Sequence, residues 1–433
     1  MRILFFSKNG MAADLARALR VEGNEVKLFI DGRPHRECFT GLVDKVEDWR
    51  KELGWVGKEG LIIFDDRGYG KLQDELRVQG YAVVGGSEEA DRLELDRSYA
   101  QDVFREQRLK TSVLKDFHTV DEAVAFIRKH RRSWVIKQHN DLDKHMHYIG
   151  QQPDGSDVIS VLEQRRHLLD RAPEVITLHE RIQGIEIGVG RYFNGIEWVG
   201  PIEFNVEHTR LLPGDLGPVT NETGTLAWYD DDEQNRLYQE TLARMVPYLQ
   251  KIKFKGDFAL NCIVNERGAF ILEATPRFGS PIIHLQQELQ QSNWGEFLSA
   301  IARGQQFKLK WRRGFGIVVL IAAPPFPTSE RDNAPSLYGL EFSLAHLSDD
   351  ERQHIHFEEV AKGNFRPYRY YVADRYGYLA YVTGIGSSIE KAQQRVYSIA
   401  DKLLIPRTFY RKDIGSRFVT EGLPRLKKIG YLA

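Results

Sequence analysis

Ile271–Pro281 reads ILEATPRFGSP. A short apolar run delivers one carboxylate, Glu273, followed by Thr275, Arg277 and a Gly-Ser-Pro turn. Carrying charge toward the edge of a core is costly. An edge built this way suits a divalent cation held against phosphate oxygens, because Mg2+ takes hard oxygen ligands from one or two carboxylates plus phosphates. Upstream, Phe254–Val264 (FKGDFALNCIV) and the turn formers Asn265-Glu266-Arg267-Gly268 predict a β-hairpin. Asn261 lies on the partner strand, twelve residues before Glu273, and is a second candidate metal ligand. Asp257 shares its strand face by period two. The plain alternative is an ordinary hairpin whose glutamate faces solvent.

At 433 residues the chain is too long for one core, and two to four domains are expected. Sixty basic side chains against 61 acidic ones give no electrostatic footprint for nucleic acid. The two cysteines, Cys38 and Cys262, form neither a disulfide framework nor a cysteine metal site, which fits a reducing compartment. The opening MRILFFSKNG is too short for a signal core or a membrane span, and no later apolar run reaches spanning length. A cytoplasmic protein without membrane or nucleic-acid partners is expected.

Residues 2–7, 25–30, 61–64 and 81–84 read as buried strands, with helices over 12–22 and 71–79 between them. That alternation predicts an α/β unit with a parallel sheet. Ligands in such sheets sit beyond the carboxyl ends of the strands, here Ser7–Gly10 and Asp65–Gly70. From about Ala90 the texture changes. Helices are expected over 93–107, 120–129 and 231–251, and strands over 134–137, 175–189 and 192–198. A helix near 294–303 ends at Gly304, and the basic run Lys308–Arg313 with Gly314 reads as a linker. Strands at 317–322, 354–358, 369–372 and 378–382 and a helix over 388–403 complete the chain. The expected blocks are 1–92, 93–313 and 314–433.

Lys137 ends the apolar strand WVIK, where it either pairs with phosphate as a point charge or snorkels to solvent. In HERIQGIE (179–186) a short bend around Gly184 places Glu180 and Glu186 six residues apart. Such a bend offers backbone to an adenine edge and Glu186 to ribose hydroxyls, or it is an exposed hairpin. LLPGDLGPVTNETG (211–224) is rich in turn formers and reads as a mobile active-site loop or a surface loop. His139, His145 and His147 flank Asp141, Asp143 and Lys144, a phosphate-touching loop rather than a closed metal site. No Gly-x-Ser-x-Gly elbow, His-Glu-x-x-His, Cys-x-x-Cys, phosphate loop or Gly-x-Gly-x-x-Gly is present.

In order along the chain these segments resemble the ATP-grasp ligases, and among them the phosphoribosylamine–glycine ligase family. VVGGSEEADRLELDRSYAQDVFREQRLKT (83–111), WVIK (134–137), HERIQGIEIG (179–188), PGDLGPVTNETG (213–224), LEATPRFGSP (272–281) and VTGIGSSIEKAQQRVY…FYRKDIGSR (382–417) carry the resemblance. The last of these is the most specific. The resemblance implies an α+β ATP-grasp fold, with a pre-ATP-grasp domain before it and a small C-terminal domain after it. It implies ATP with Mg2+ or Mn2+ as cofactors, small-molecule carboxylate and amine substrates, and a monomer or homodimer. Arg97 stands where the family has a phosphate-contacting lysine, and Lys137 where it has its second nucleotide lysine. Arg181 and Ile182 with Glu180 would flank adenine, Glu186 would face ribose, and Lys144 would reach phosphate. Glu273, Thr275 and Asn261 would hold metal, while Arg277 and Lys137 would act in phosphoryl transfer. Lys8, Asn9, Gly10, Asp66, Arg67 and Asp215 would face substrate. The departures sit at Lys8–Ala12, Asp65–Tyr69 and 139–150, where the family's amine-substrate loops and glycine-rich lid are rewritten. Thr275 and Ser280 replace the family's asparagine and aspartate.

Overall fold

The structure is a computed structural model that describes residues 1–137, 148–169, 175–328, 335–363 and 369–432. The side chain of Lys137 and all of 138–147, including His139, Asp141, Asp143, Lys144, His145 and His147, lie outside the described residues.

The chain opens as expected. β1 (Arg2–Ser7), β2 (Glu25–Ile30), β3 (Asp44–Lys45), β4 (Leu61–Phe64) and β5 (Val83–Val84) form a parallel sheet in the order β3-β2-β1-β4-β5. β1 and β4 are buried almost throughout, because helices cover both faces of a parallel sheet. The helices Asp14–Val21 and Gly70–Val78 follow β1 and β4, so the loops after these two strands sit side by side.

β6 (Lys110–Thr111) follows two helices, Glu88–Leu95 and Arg97–Glu106. One continuous helix over 93–107 is expected from periodicity, but Asp96 interrupts it. Its backbone is extended and its carboxylate accepts from the Tyr99 N–H at 3.0 Å. The side chain thus satisfies a donor that a helix terminus leaves orphaned, and the cap starts a new helix at Arg97. The expected helix over 231–251 likewise divides, into Arg236–Glu240 and Leu242–Lys251 about a buried Thr241.

A small antiparallel sheet joins β7 (Leu114–Phe117), β8 (Trp134–Lys137), β9 (Tyr148–Ile149) and β10 (Ile176–Glu180) in the order β7-β10-β8-β9. Residues 181–184 then leave the sheet, and β11 (Ile185–Asn194) begins. The expected strand over 175–189 is therefore two strands in two sheets. β11 continues through the expected break at 190–191, and β12 (Trp198–Leu212) follows.

β13 (Leu216–Asp230), β14 (Lys255–Asn265), β15 (Gly268–Thr275), β16 (Phe315–Ala322), β17 (Glu341–Ser343), β18 (Ile355–Phe357), β19 (Val360–Lys362), β20 (Arg369–Val372) and β21 (Tyr378–Gly386) complete the strands. Nine of the strands form one sheet, β18-β21-β16-β13-β12-β11-β14-β15-β6. Its β13–β16 ladder crosses from one side of Gly314 to the other, where composition places a boundary. β17, β20 and β19 form a separate three-stranded sheet.

The large sheet has one apolar face and one partly polar face. Ile202, Phe204, Leu226, Phe258, Leu260 and Cys262 alternate with Glu203, Asn205, Ala227, Asp257 and Asn261 along their strands. The apolar set is fully buried in the main core, while the helix Ile282–Leu289 lies over part of the other face through Leu285 and Leu289.

Candidate ATP-binding and ligase site

The predicted hairpin is present, with Asn265 opposite Gly268 and Asn261 directly opposite Glu273. Register carries this row further: Asn261 faces Gly188, and Gly188 faces Asn205. A Cβ on Gly188 would stand 2.2 Å from Asn205 Oδ1, so glycine lets the Asn205 amide lie across β11. Glu186 and Thr275 share this face by period two. The structure therefore places Glu186, Asn261, Glu273 and Thr275 on one face of the sheet.

It also adds residues that reading missed. Glu207 on β12 accepts from Asn261 Nδ2 at 3.1 Å. Burial pushes the Glu207 carboxyl up to about 7, reinforced by Glu273 and Glu186 and opposed by Asn261 and Arg277. Glu222, buried and bonded to the Thr225 hydroxyl, is also raised well above the usual range, by burial and then by Glu207. Deeper on the same face, Gln286 Nε2 donates to Glu203 Oε2 at 2.8 Å and to Asp257 Oδ2 at 3.1 Å. Burial first raises both of these carboxyls, and Asp257 adds to the rise at Glu203. Tyr192 donates to Gln286 Oε1 at 2.7 Å and holds the amide in place. The signal for β12 was present in IEFNVEH (202–208), where Glu203, Asn205 and Glu207 alternate with Ile202, Phe204 and Val206.

These donors suit a hard divalent cation. Glu273 and Glu207 offer carboxylate oxygens, and the bond from Asn261 Nδ2 leaves its carbonyl oxygen as an acceptor. Crowded carboxyls with raised proton affinity are the signature of a site that a positive charge would relax.

Arg277 borders the acidic face. Its Nη2 lies 3.1 Å from Glu94 Oε1, its Nε 3.6 Å from Asp66 Oδ1, and its Nη1 donates to the Phe278 carbonyl at 2.9 Å. Arg67 shares Glu94 at 2.6 Å, and Lys8 lies 3.9 Å from Asp66. Lys8, Asp66, Arg67 and Arg277 thus form one charged group where the parallel sheet meets β15. Asn9 Oδ1 accepts from the Met11 N–H at 3.1 Å, and Gly10 turns the chain at φ 97°. Asp65 closes this loop from inside. Its carboxylate accepts from the Ser7 hydroxyl, from the Lys8 N–H at 3.2 Å and from the Ala12 N–H at 3.4 Å. Burial, then Asp66, pushes Asp65 up to about 7.

Arg97 opens the helix behind Asp96, and its Nη1 is buried with no hydrogen-bond partner among the described residues. A buried guanidinium donor without an acceptor fits a phosphate oxygen. At the bend, Glu180 pairs with Arg132 at 3.0 Å and Arg181 Nη1 donates to the Gly150 carbonyl at 2.7 Å. The Arg181 N–H donates to the Ser133 carbonyl, so this group is not available to a base. Ile182 is buried.

Asp215 does not join the site. The segment 211–224 is an ordered β12–β13 hairpin with Gly214 and Asp215 both at positive φ in its turn. Asp215 Oδ1 meets Arg411 at 2.7 Å and Oδ2 meets Arg417 at 2.9 Å, while Asp413 Oδ2 accepts from the Gly214 N–H at 2.8 Å. The Gly415 N–H donates to His208 Nε2 at 3.1 Å. The C-terminal signature therefore clamps the hairpin base and tip.

The fold is of the ATP-grasp type. Residues 95–282 match the phosphoribosylglycinamide synthetase ATP-grasp (A) domain. The chain is 24% identical over 392 residues to a phosphoribosylamine–glycine ligase of Helicobacter pylori, covering 88% of this chain and 85% of that one. It is 23% identical over 357 residues to that of Halalkalibacterium halodurans, covering 81% and 80%. Among solved structures, the phosphoribosylamine–glycine ligase of Thermotoga maritima aligns with a TM-score of 0.70 at 20% identity, over 96% of this chain and 100% of that one. A biotin carboxylase of Campylobacter jejuni aligns with a TM-score of 0.63 at 12% identity, over 96% and 98%. These likenesses show the fold of the whole chain.

Proposed function

We propose that the protein is an ATP-dependent carboxylate–amine ligase of the phosphoribosylamine–glycine ligase type. The observation that carries this is the row Glu273–Asn261 with Glu207 beside it, on an ATP-grasp sheet whose relatives over four-fifths of the chain are named as that ligase. In this reading the γ-phosphoryl of ATP passes to the glycine carboxylate, giving an acyl phosphate and ADP. The amine nitrogen then attacks the acyl carbon, the C–O bond to phosphate breaks, and phosphate leaves. Such transfer needs positioning and charge neutralisation rather than a protein nucleophile. When bound, Mg2+ would neutralise phosphate charge, and Glu273, Glu207 and the Asn261 carbonyl would hold it. Arg97 donates to a phosphate, Arg277 faces the developing charge from a fixed position, and Ile182 with Glu186 holds the nucleoside. Lys137 is proposed as a further phosphate contact from its place at the end of β8.

The test is ADP release with glycine and phosphoribosylamine, each omitted in turn, with product mass. Release that depends on both, with the mass of glycinamide ribonucleotide, is expected; no Mg-ATP binding by calorimetry would overturn the reading. One observation favours a second reading of the amine alone. Asp65 already takes the Lys8 and Ala12 N–H groups at the start of the first helix, a place otherwise suited to a substrate phosphate. ADP release with another amine, and none with phosphoribosylamine, would select that reading.

A further inference from the structure

A second cluster lies apart from the residues above, where three regions of the chain meet. Asp14 opens the helix after β1, His284 and Glu288 lie on the helix Ile282–Leu289, and His356 is the middle residue of β18. Asp14 and His284 are fully buried and His356 is 4% exposed. Each offers one ligand atom, and these atoms lie within 4.8 Å of one another.

We propose that Asp14, His284 and His356 hold a divalent transition-metal cation of the zinc type. Two features carry this beyond proximity. His356 Nδ1 stands 2.9 Å from Asp14 Oδ2, and its other nitrogen, Nε2, stands 3.3 Å from Glu288 Oε1. Glu288 is itself held by the Thr383 hydroxyl at 2.9 Å. A metal-bound histidine characteristically gives its second N–H to a carboxylate fixed in this way. The independent feature is His284. Both its ring nitrogens are buried with no hydrogen-bond partner among the described residues, and its ring stacks on Tyr381 at 4.6 Å. A buried imidazole with both nitrogens idle calls for a ligand.

A protonated His356 bridging Asp14 and Glu288 accounts for those three residues and leaves His284 unexplained; a cation accounts for all four. Asp14 also takes Arg17, at 2.7 Å and 3.1 Å, and the Phe357 N–H at 3.3 Å, but a carboxylate offers about four lone-pair sites, which leaves the one on Oδ2 that faces His356 for a metal. Two imidazoles and one carboxylate match zinc chemistry rather than magnesium, with bonds of about 2.0–2.2 Å. The site would staple the parallel-sheet region, the helix over the acidic face and the C-terminal strands.

The test uses full-length protein stripped with a chelator and titrated with Co2+ and Zn2+. Wild type is expected to bind an equimolar amount of Co2+ with the intense visible absorption of a tetrahedral nitrogen–oxygen site, displaced by Zn2+, and to melt at higher temperature with Zn2+. The band and the melting shift persist in Glu273→Gln, which alters the nucleotide-site carboxylate, and disappear in His284→Gln. If His284→Gln does not fold, the wild-type spectrum decides alone. Absence of an intense band in wild type, or its survival in folded His284→Gln, would overturn the proposal.

Discussion

Glu273 is exposed at its strand end, and what gives it meaning is its opposite neighbour Asn261 and the half-buried Glu207 behind that. Glu273→Gln is expected to lower ATP turnover by about 100-fold, ~3 kcal/mol of barrier, measured as ADP release at saturating ATP. Glu207 makes a pH prediction. With its carboxyl near 7, it is half protonated around neutrality, and a cation must displace that proton. Mg2+ affinity is therefore expected to rise from about pH 6 to about pH 8 as Glu207 ionises, and bound Mg2+ to pull its pKa down. Calorimetric titration across that range should show a flatter dependence in Glu207→Gln; an unchanged slope would remove Glu207 from the metal shell.

At the scale of elements, the departures from sequence expectation have two causes, a local side-chain cap and partners distant in sequence. Helical periodicity spans Leu93–Gln107, yet Asp96 spends its carboxylate on the Tyr99 N–H and divides the run. A local hydrogen bond wins over continuation because aspartate competes well for backbone donors. The break also sets Arg97 at the start of a helix with a buried guanidinium nitrogen. Asp96→Ala is expected to cost about 1 kcal/mol of stability and to raise the KM for ATP more than it lowers kcat, read by urea unfolding and steady-state kinetics. The hairpin β14–β15 was legible because its turn and both strands are local in sequence. β12 left its alternation in IEFNVEH, but the polar face of that segment acquires its meaning only beside β11 and β14. The hairpin 211–224 reads as a loop for a similar reason: the residues that order it, Arg411–Arg417, lie some 200 positions away. Arg411→Met is expected to destabilise the protein by about 1–3 kcal/mol, less than a fully buried pair because Asp215 and Asp413 keep part of their hydration; differential denaturation of the two proteins checks it.

Across the whole molecule, the large sheet stores acid on one face. Glu203 and Asp257 are buried there with raised carboxyl pKa values, so the folded state binds more protons than the unfolded state above about pH 4. The sign follows directly: their contribution to stability is complete below the unfolded carboxylate range and is lost as pH rises through the folded values. Stability is expected to decline from about pH 5 toward about pH 8, and Glu203→Gln to lessen that decline, as followed by melting temperature across the range. The parallel sheet and the β14–β15 hairpin were both readable from local pattern. The joining of β13 to β16 across Gly314 was not, because strand pairing at that distance leaves no periodic trace.

That sheet also shapes how the protein can associate. Its long strands are all interior, and its two margins are β6, of two residues, and β18, of three. A margin so short gives a neighbouring chain almost no ladder to extend, which protects the nine strands from edge-to-edge aggregation. Association across this sheet is therefore expected to proceed through side-chain surfaces rather than by adding strands.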